Sequence, residues 1–275
     1  METFDAVVVG AGPAGLTAGV YLVRYRRRVL VLGAGPSRAA WIPESHNTPG
    51  FPHGVGGRDL LARLTEQALA FGAEVREGHV EAVTPVEDGF EVRGPGWSLR
   101  AATVLLATGV LDRLPTLEGV ADAIRRSVVR MCPICDAYEA TGKRIAILGA
   151  AEDDGLAERE ADFLASYSQD VTVLRVGEGE IALTEDAVHW TPPGGGNAEV
   201  FDHLYLALGC EPQGALAVGA ARDEEGNLIV DAHQMTGTPG LYAAGDLVRG
   251  LNQIAVATGE AAIAATAMHN RLRGV

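Results

Sequence analysis

Cysteine is scarce in this chain. Three in 275 residues is a low, odd count, which does not describe a secreted framework of paired disulfides. Basic charge is also short. Lys and Arg number 22 against 36 Asp and Glu, a net charge of −14, and this argues against nucleic acid or an anionic membrane as partner, since both need a basic face. No apolar run approaches the roughly 20 residues of a spanning helix; the longer ones, such as residues 101–111, stop well short. The first apolar strand pattern begins within a few residues of Met1, leaving no room for a signal segment, and there is no low-complexity tail. The expectation is a soluble, cytoplasmic chain of one large or two medium domains, at roughly 100–200 residues each. With 47% apolar residues and 35 glycines, the composition suits a compact α/β protein with many tight turns.

Two of the three cysteines stand together in Cys132-Pro133-Ile134-Cys135-Asp136. Cysteines separated by two residues can close a small disulfide and reopen it. An acid directly after them can give or take the proton that dithiol chemistry needs. A structural zinc half-site is the competing reading, but no second Cys or His pair lies at suitable spacing. Arg130, two residues upstream, is a candidate for lowering a thiolate pKa by its charge, although a solvent-exposed surface arginine is the favoured reading. Cys210 follows a core strand and reads as a buried or idle thiol.

Residues 4–9 are an apolar run, followed by Gly10-Ala11-Gly12-Pro13-Ala14-Gly15, a helical stretch to about Arg26 and a second apolar run at 29–32. This is the βαβ dinucleotide unit. Gly10 allows the tight turn, Gly12 lets the backbone approach a pyrophosphate, and Gly15 lets the helix pack on the strand. The helix N-terminus then offers unpaired N–H groups to the phosphates. Residues 57–71 read as an amphipathic helix, with short strands around 73–83, 90–92 and 99–101, and residues 103–109 as a buried strand ending in a glycine turn. A second βαβ pattern follows: strand 143–149, helix 155–168, strand 171–175. Residues 178–198 read as irregular, 204–209 as another strand, and 253–272 as an alanine-rich helix.

These motifs, in this order, resemble the low-molecular-weight thioredoxin reductases and related two-domain flavin disulfide oxidoreductases. The resemblance covers nearly the whole chain. It rests on the Gly10/Gly12/Gly15 turn, Asn47-Thr48-Pro49-Gly50, Ala107-Thr108-Gly109, Cys132-x-x-Cys135-Asp136, Ala207-Leu208-Gly209-x-x-Pro212, and Gly245-Asp246 with Gln253 seven residues later. It implies two Rossmann-like domains, the second inserted in the first. An FAD domain would span 1–111 and 234–275, and a CxxC-bearing, NADPH-binding-like domain 112–233, with flexible linkers near 111–116 and 232–236 for a domain swing. It implies an FAD site drawing on Gly10, Gly12, Pro13, Ala14, Gly15, Arg38, Thr108, Gly109, Gly245 and Asp246. Asn47, Gln253 and Ile254 would lie near the flavin ring. Cys135 would face the isoalloxazine, Cys132 would exchange with the partner, and Asp136 would be the acid–base. A homodimer is implied as well. Trp41 and His46 either line the ring face or are a buried aromatic and a capping histidine.

The departures bear on electron supply. Where the family seats the NADPH pyrophosphate on a second glycine motif, this chain has Gly149-Ala150-Ala151-Glu152-Asp153-Asp154, with three consecutive acids at the helix start. Such acids repel a pyrophosphate and themselves satisfy the helix dipole. The family's two arginines for the 2′-phosphate would fall at Val176-Gly177, leaving Arg175 alone nearby. On the FAD side, Gly33 stands where an acid usually holds the adenosine ribose, and Ser37-Arg38-Ala39-Ala40-Trp41 replaces a Gly-Gly-Gln loop. The expectation is an FAD enzyme that exchanges electrons between Cys132–Cys135 and a thioredoxin-like protein or small dithiol, with NADPH doubtful as donor. A ferredoxin or another non-nicotinamide carrier would then supply electrons. The alternatives are a dithiol oxidase that passes electrons to oxygen and, in another class, a non-catalytic flavin redox sensor.

Overall fold

The structure, a computed structural model, describes residues 1–152 and 155–275. Along the first part of the chain run β1 (Glu2–Val9), α1 (Pro13–Arg24), β2 (Val29–Gly33), α2 (Gly57–Ala70), β3 (Glu74–Glu77), β4 (Ala82–Val86), β5 (Gly89–Gly94), β6 (Trp97–Leu106) and β7 (Val110–Asp112). Then come α3 (Val120–Arg125), β8 (Val129–Arg130), α4 (Pro133–Asp136), β9 (Ile145–Gly149), α5 (Leu156–Leu164), β10 (Val171–Arg175), β11 (Glu180–Leu183), β12 (Val188–Thr191), β13 (Glu199–Phe201) and β14 (His203–Ala207). The chain closes with β15 (Cys210–Pro212), β16 (Leu241–Ala243) and α6 (Ile254–Arg273).

These elements form two compact units. The first comprises Met1–Ala40, Gly57–Leu111 and Glu211–Val275; the second comprises Trp41–Gly56 and Asp112–Cys210. The chain passes from one to the other after Ala40, back after Gly56, and again within β7 and β15, which pair as a two-stranded ribbon.

In the first unit, β3, β2, β1 and β6 lie side by side, β16 pairs β6, and the antiparallel strands β5 and β4 extend the sheet. β1 runs parallel to both neighbours, with Val7 opposite Leu30 and Val104. Side chains alternate across a strand, so β1 feeds two cores. Ala6 and Val8 meet α1 and α6 through Leu16, Leu22, Ala261, Ala264 and Met268. Phe4, Val7 and Val9 join Leu30, Leu32 and Leu106 on the other face.

In the second unit, β10, β9, β14 and β8 make a parallel sheet, with α5 against it through Ala157 and Leu164. Each unit is therefore Rossmann-like, and the second is inserted in the first.

Three expectations are corrected. Residues 41–56, expected within the FAD domain, belong to the second unit. The second unit ends at Cys210, not at residue 233. Residues 211–233 carry Ala217 and Leu228, with Leu216, Ala220 and Val230, into the second core of the first unit. The last crossing accordingly lies on β15 rather than near 232–236. Residues 178–198, expected to be irregular, contain β11 and β12, which pair antiparallel with each other, and β12 pairs antiparallel with β13 as well. The glycine-rich stretch at 192–196 is only the β12–β13 connection. Among the described residues, no helix is long and apolar enough to cross a membrane.

Candidate active site

The first unit builds a cradle from three strand and helix ends. Gly10 leaves β1 at φ +115, and a Cβ there would lie 2.1 Å from the Ala107 carbonyl oxygen. Only glycine combines that backbone angle with that closeness. A Cβ on Gly15 would in turn fall 1.8 Å from the Gly10 carbonyl oxygen, so α1 seats directly on the turn. At Gly12, the N-cap of α1, a Cβ would meet within 4 Å only Ser37, its Oγ at 3.1 Å. Pro13 opens the helix, and no side chain caps its N-terminus.

Gly245, at φ +85, lies where a Cβ would be 3.1 Å from Ala14 Cβ and 3.6 Å from Ala257 Cβ. The first turns of α1 and α6 and the end of β16 therefore converge. Asp246 pairs with Arg38 (Nη1 to Oδ2, 3.5 Å). Thr108 Oγ1 donates to the Gln213 carbonyl at 2.6 Å, and Gly109 accepts from the Gln213 N–H. Gln253 is the N-cap of α6 and Ile254 its first residue.

This cradle fits the pyrophosphate of a dinucleotide such as FAD: side-chain-free backbone faces an uncapped helix N-terminus, where anions bind well. The missing ribose acid also has a steric correlate, because a Cβ on Gly33 would press to 2.8 Å from Ala11 Cβ. Glu260 was missed by sequence reasoning. It is buried in α6, accepts the Gly245 N–H at 2.9 Å and takes Arg249 Nε at 2.6 Å, so it fixes the turn before Asp246. A glutamate on an alanine-rich helix gives no sequence signal of that role.

In the second unit, Cys132 and Cys135 form a disulfide with Cα atoms 5.3 Å apart. Cys132 is the N-cap of the short α4, Pro133 sets its first position, and the Cys135 N–H returns to the Cys132 carbonyl at 3.0 Å. Both cysteines are half-buried. Asp136 closes the turn. Arg130 Nη1 lies 2.8 Å from its Oδ2, and the Tyr205 hydroxyl donates to its Oδ1 at 2.8 Å. Burial pushes the Asp136 carboxyl up from its ordinary range, while Arg130 and then Tyr205 oppose that rise. Arg130 is thus no surface arginine: its side chain is 9% exposed. Its charge faces Asp136, because β8 projects it to the same side of the sheet as Tyr205 of β14.

The loop 41–56 belongs to this unit. Ser45 bridges Val55, its Oγ contacts Thr48 Oγ1 at 2.7 Å, and it donates to Asn47 Oδ1 at 3.1 Å. Asn47 Nδ2 then donates to the Ile134 carbonyl, inside the disulfide turn, at 3.3 Å. Asn47 therefore belongs to the second unit, whereas the other expected cofactor residues belong to the first. Trp41 packs against the second unit's core, and His46 pairs with Glu44 at 3.2 Å. A shallow cavity of about 370 Å³ is lined by residues 46–52. Cys210 is half-exposed rather than buried.

At the second glycine turn, Arg175 closes in from the end of β10. A Cβ on Gly149 would come 2.3 Å from Arg175 Nη1, and the guanidinium pairs with Glu158 of α5. The expected acids Asp153 and Asp154 lie outside the described residues. Ala151 and Glu152 are exposed, Val176 is 40% exposed, and Gly177 takes φ +88.

Comparison with known proteins agrees with this architecture. The sequence model of the pyridine nucleotide-disulphide oxidoreductases matches residues 4–178 and 168–261. The thioredoxin reductase of Aquifex aeolicus is 28% identical over 99% of this chain and 94% of its own. The crystal structure of thioredoxin reductase from Streptococcus pyogenes overlays with a TM-score of 0.89 at 24% identity, over 99% of both chains. That of HlmI overlays with 0.88 at 26% identity, over 99% of this chain and 93% of that one.

The chain belongs to the pyridine nucleotide-disulphide oxidoreductase family. Within it, the chain is an FAD-dependent thiol–disulfide oxidoreductase of the low-molecular-weight, thioredoxin reductase-like kind.

Proposed function

We propose that this enzyme passes two electrons between FAD and a dithiol or disulfide partner through Cys132 and Cys135, with Asp136 moving the proton and NADPH a poor donor. The observation that carries the reading is the disulfide closed one residue before a carboxylate that Arg130 and Tyr205 hold. FAD, when bound, supplies the two-electron acceptor or donor for the sulfur pair. Gly10, Gly12, Pro13, Ala14 and Gly15 would hold its pyrophosphate, and Arg38, Thr108, Gly109, Gly245 and Asp246 the adjoining ribityl and phosphate region. Asn47, Gln253 and Ile254 are assigned to the ring side. The relatives' names favour a thioredoxin-like protein as partner, ahead of a small dithiol. We also expect a cytoplasmic homodimer, the latter checked by light scattering.

In the direction that oxidises the partner, a partner thiol gives its proton to Asp136 and its sulfur bonds to Cys132 Sγ. The Cys132–Cys135 bond breaks, and its electron pair stays on Cys135 Sγ. The partner's second thiol then displaces Cys132 and gives up its proton; that proton and the one held by Asp136 pass to the two cysteine sulfurs, which leaves a partner disulfide and an enzyme dithiol. The reductive direction runs these steps backward, with Asp136 returning the proton.

A poor NADPH site is supported by Arg175, whose guanidinium lies over Gly149 and is neutralised by Glu158. A pyrophosphate approaching that turn meets an occupied position and a carboxylate. The same observation favours the second reading, a dithiol oxidase with oxygen as acceptor. Anaerobic titration of the flavin absorbance tests both. NADPH, NADH and a small dithiol are added separately. Bleaching by the dithiol alone is expected. Prompt, stoichiometric bleaching by NADPH would overturn the donor assignment, and no bleaching by the dithiol would overturn the disulfide chemistry. Oxygen uptake with the dithiol, absent in Cys135→Ser, would select the oxidase.

A further inference from the structure

Asp136 is held by two side chains that the exchange chemistry alone does not require. Arg130 ends β8 and Tyr205 lies in β14, directly opposite it in a parallel pair. Neighbours in register on adjacent strands project to the same side of the sheet. From there the guanidinium meets Asp136 Oδ2 and the phenol meets Oδ1, each at 2.8 Å. Both carboxylate oxygens are engaged from one sheet edge, while Asp136 itself is the last residue of the turn that carries the disulfide.

The burial is costly. The Arg130 side chain is 9% exposed and its Nε has no partner within the described residues. A buried charge is tolerated only when paired, and such a pair adds little net stability over apolar packing. Tyr205 is fully buried, so its hydroxyl brings a polar group into a core that a phenyl ring would fill. The feature common to both groups is Asp136.

We infer that Arg130 and Tyr205 are positioning residues that orient the Asp136 carboxylate and set its readiness to exchange a proton at the Cys132–Cys135 pair. The inference rests on the proposed acid–base role of Asp136. Burial acts against the ionised carboxylate, and Glu139 adds a like charge nearby; Arg130 and Tyr205 act for it. Burial holds the phenol well above its ordinary range, so Tyr205 donates and does not ionise. His203, two residues before Tyr205, is brought down to about 4 by burial and by Arg130, with Asp202 acting against that and Lys143 with it. At neutral pH His203 carries no charge that would compete for Asp136.

The test uses the flavin-loaded protein and the variants Tyr205→Phe, Arg130→Met, Arg130→Lys and Asp136→Asn. The first readout is the protonation midpoint of Asp136, taken from the infrared carboxyl band that Asp136→Asn removes. The second is the pH profile of single-turnover reduction of the disulfide by dithiothreitol, quenched and counted as free thiol. Losing a hydrogen bond to the charged form raises the midpoint. Tyr205→Phe should raise it by about one pH unit and slow the acid limb about tenfold. Arg130→Met should raise it further, and Arg130→Lys should fall between it and wild type. Infrared midpoints equal to wild type in folded Tyr205→Phe and Arg130→Met would overturn the inference. Tyr205→Phe keeps the ring, so it decides the matter if Arg130→Met does not fold. If wild type reduces no faster than Asp136→Asn, the acid–base reading of Asp136 fails, and the infrared midpoint still decides whether Arg130 and Tyr205 govern its proton.

Discussion

A carboxylate withdrawn from water without a partner weakens a fold at neutral pH, and the half-buried Glu160 on α5 is such a group. Its Oε2 has no hydrogen-bond partner among the described residues, and burial pushes its carboxyl up to about 7 despite Arg159. The folded state then binds the proton more tightly than the unfolded chain, so stability falls as pH rises from about 4.5 to about 7. His203 has the opposite sign. Burial first, then Arg130, brings it down to about 4 from 6.5, so its contribution is lost as pH falls through that window. Where the windows overlap, the two slopes offset each other in wild type. Glu160→Gln should stabilise the protein at pH 8 by about 1–3 kcal/mol. It should also leave a stability that declines visibly below about pH 6.5, the direction His203 imposes. Denaturant melts across this range check both; an unchanged profile would mean that Glu160 is solvated.

At the scale of elements, the glycine turn after β1 separates folding from binding. Gly10→Ala places a methyl group against the Ala107 carbonyl at φ +115, and should cost about 2 kcal/mol or more, with loss of flavin. Gly12→Ala meets only Ser37. It should cost about 1 kcal/mol as an N-cap change, yet weaken FAD binding at least about tenfold, because the methyl group enters the space a pyrophosphate needs. Thermal melts and flavin release measure the two effects separately; equal losses in both variants would refute this division. This element was legible because close approach leaves only glycine possible, so the residue type records the geometry. The strands β1, β2, β9 and β10 were legible for a similar reason, being short apolar runs bounded by glycine or charge. The sheet made by β11, β12 and β13 was not. Its strands are three or four residues long and mixed in polarity, and the few side chains that reach the core, Val188 and Phe201 among them, are too widely spaced to show a strand pattern. The Asp136 site was half legible: the Cys132-x-x-Cys135-Asp136 spacing fixes a local turn, whereas Arg130 and Tyr205 reach it through a register between strands 75 residues apart (205 − 130 = 75). Asn47 has the same character, since its bond to Ile134 joins a loop to a turn 87 positions away.

At the scale of the whole molecule, two compact units exist in one chain that crosses between them four times, and each holds a glycine turn of the dinucleotide type. The first turn is open at Gly12, and the second is covered by Arg175 with Glu158. A ligand stabilises only the state that binds it, by about 2.7 kcal/mol at a hundredfold excess over its Kd. Calorimetry of flavin-stripped protein should therefore show one transition that FAD raises and one that it leaves in place. Glu160→Gln identifies the second, since Glu160 lies in that unit. NADPH at the same concentration should raise neither. Arg175→Ala removes the cover at Gly149 but adds no contact for a 2′-phosphate, so NADPH should shift the second transition only slightly in that variant. If NADPH raised the second transition in wild type, Arg175 would have to swing aside at small cost, and the turn it covers would be a working nucleotide site.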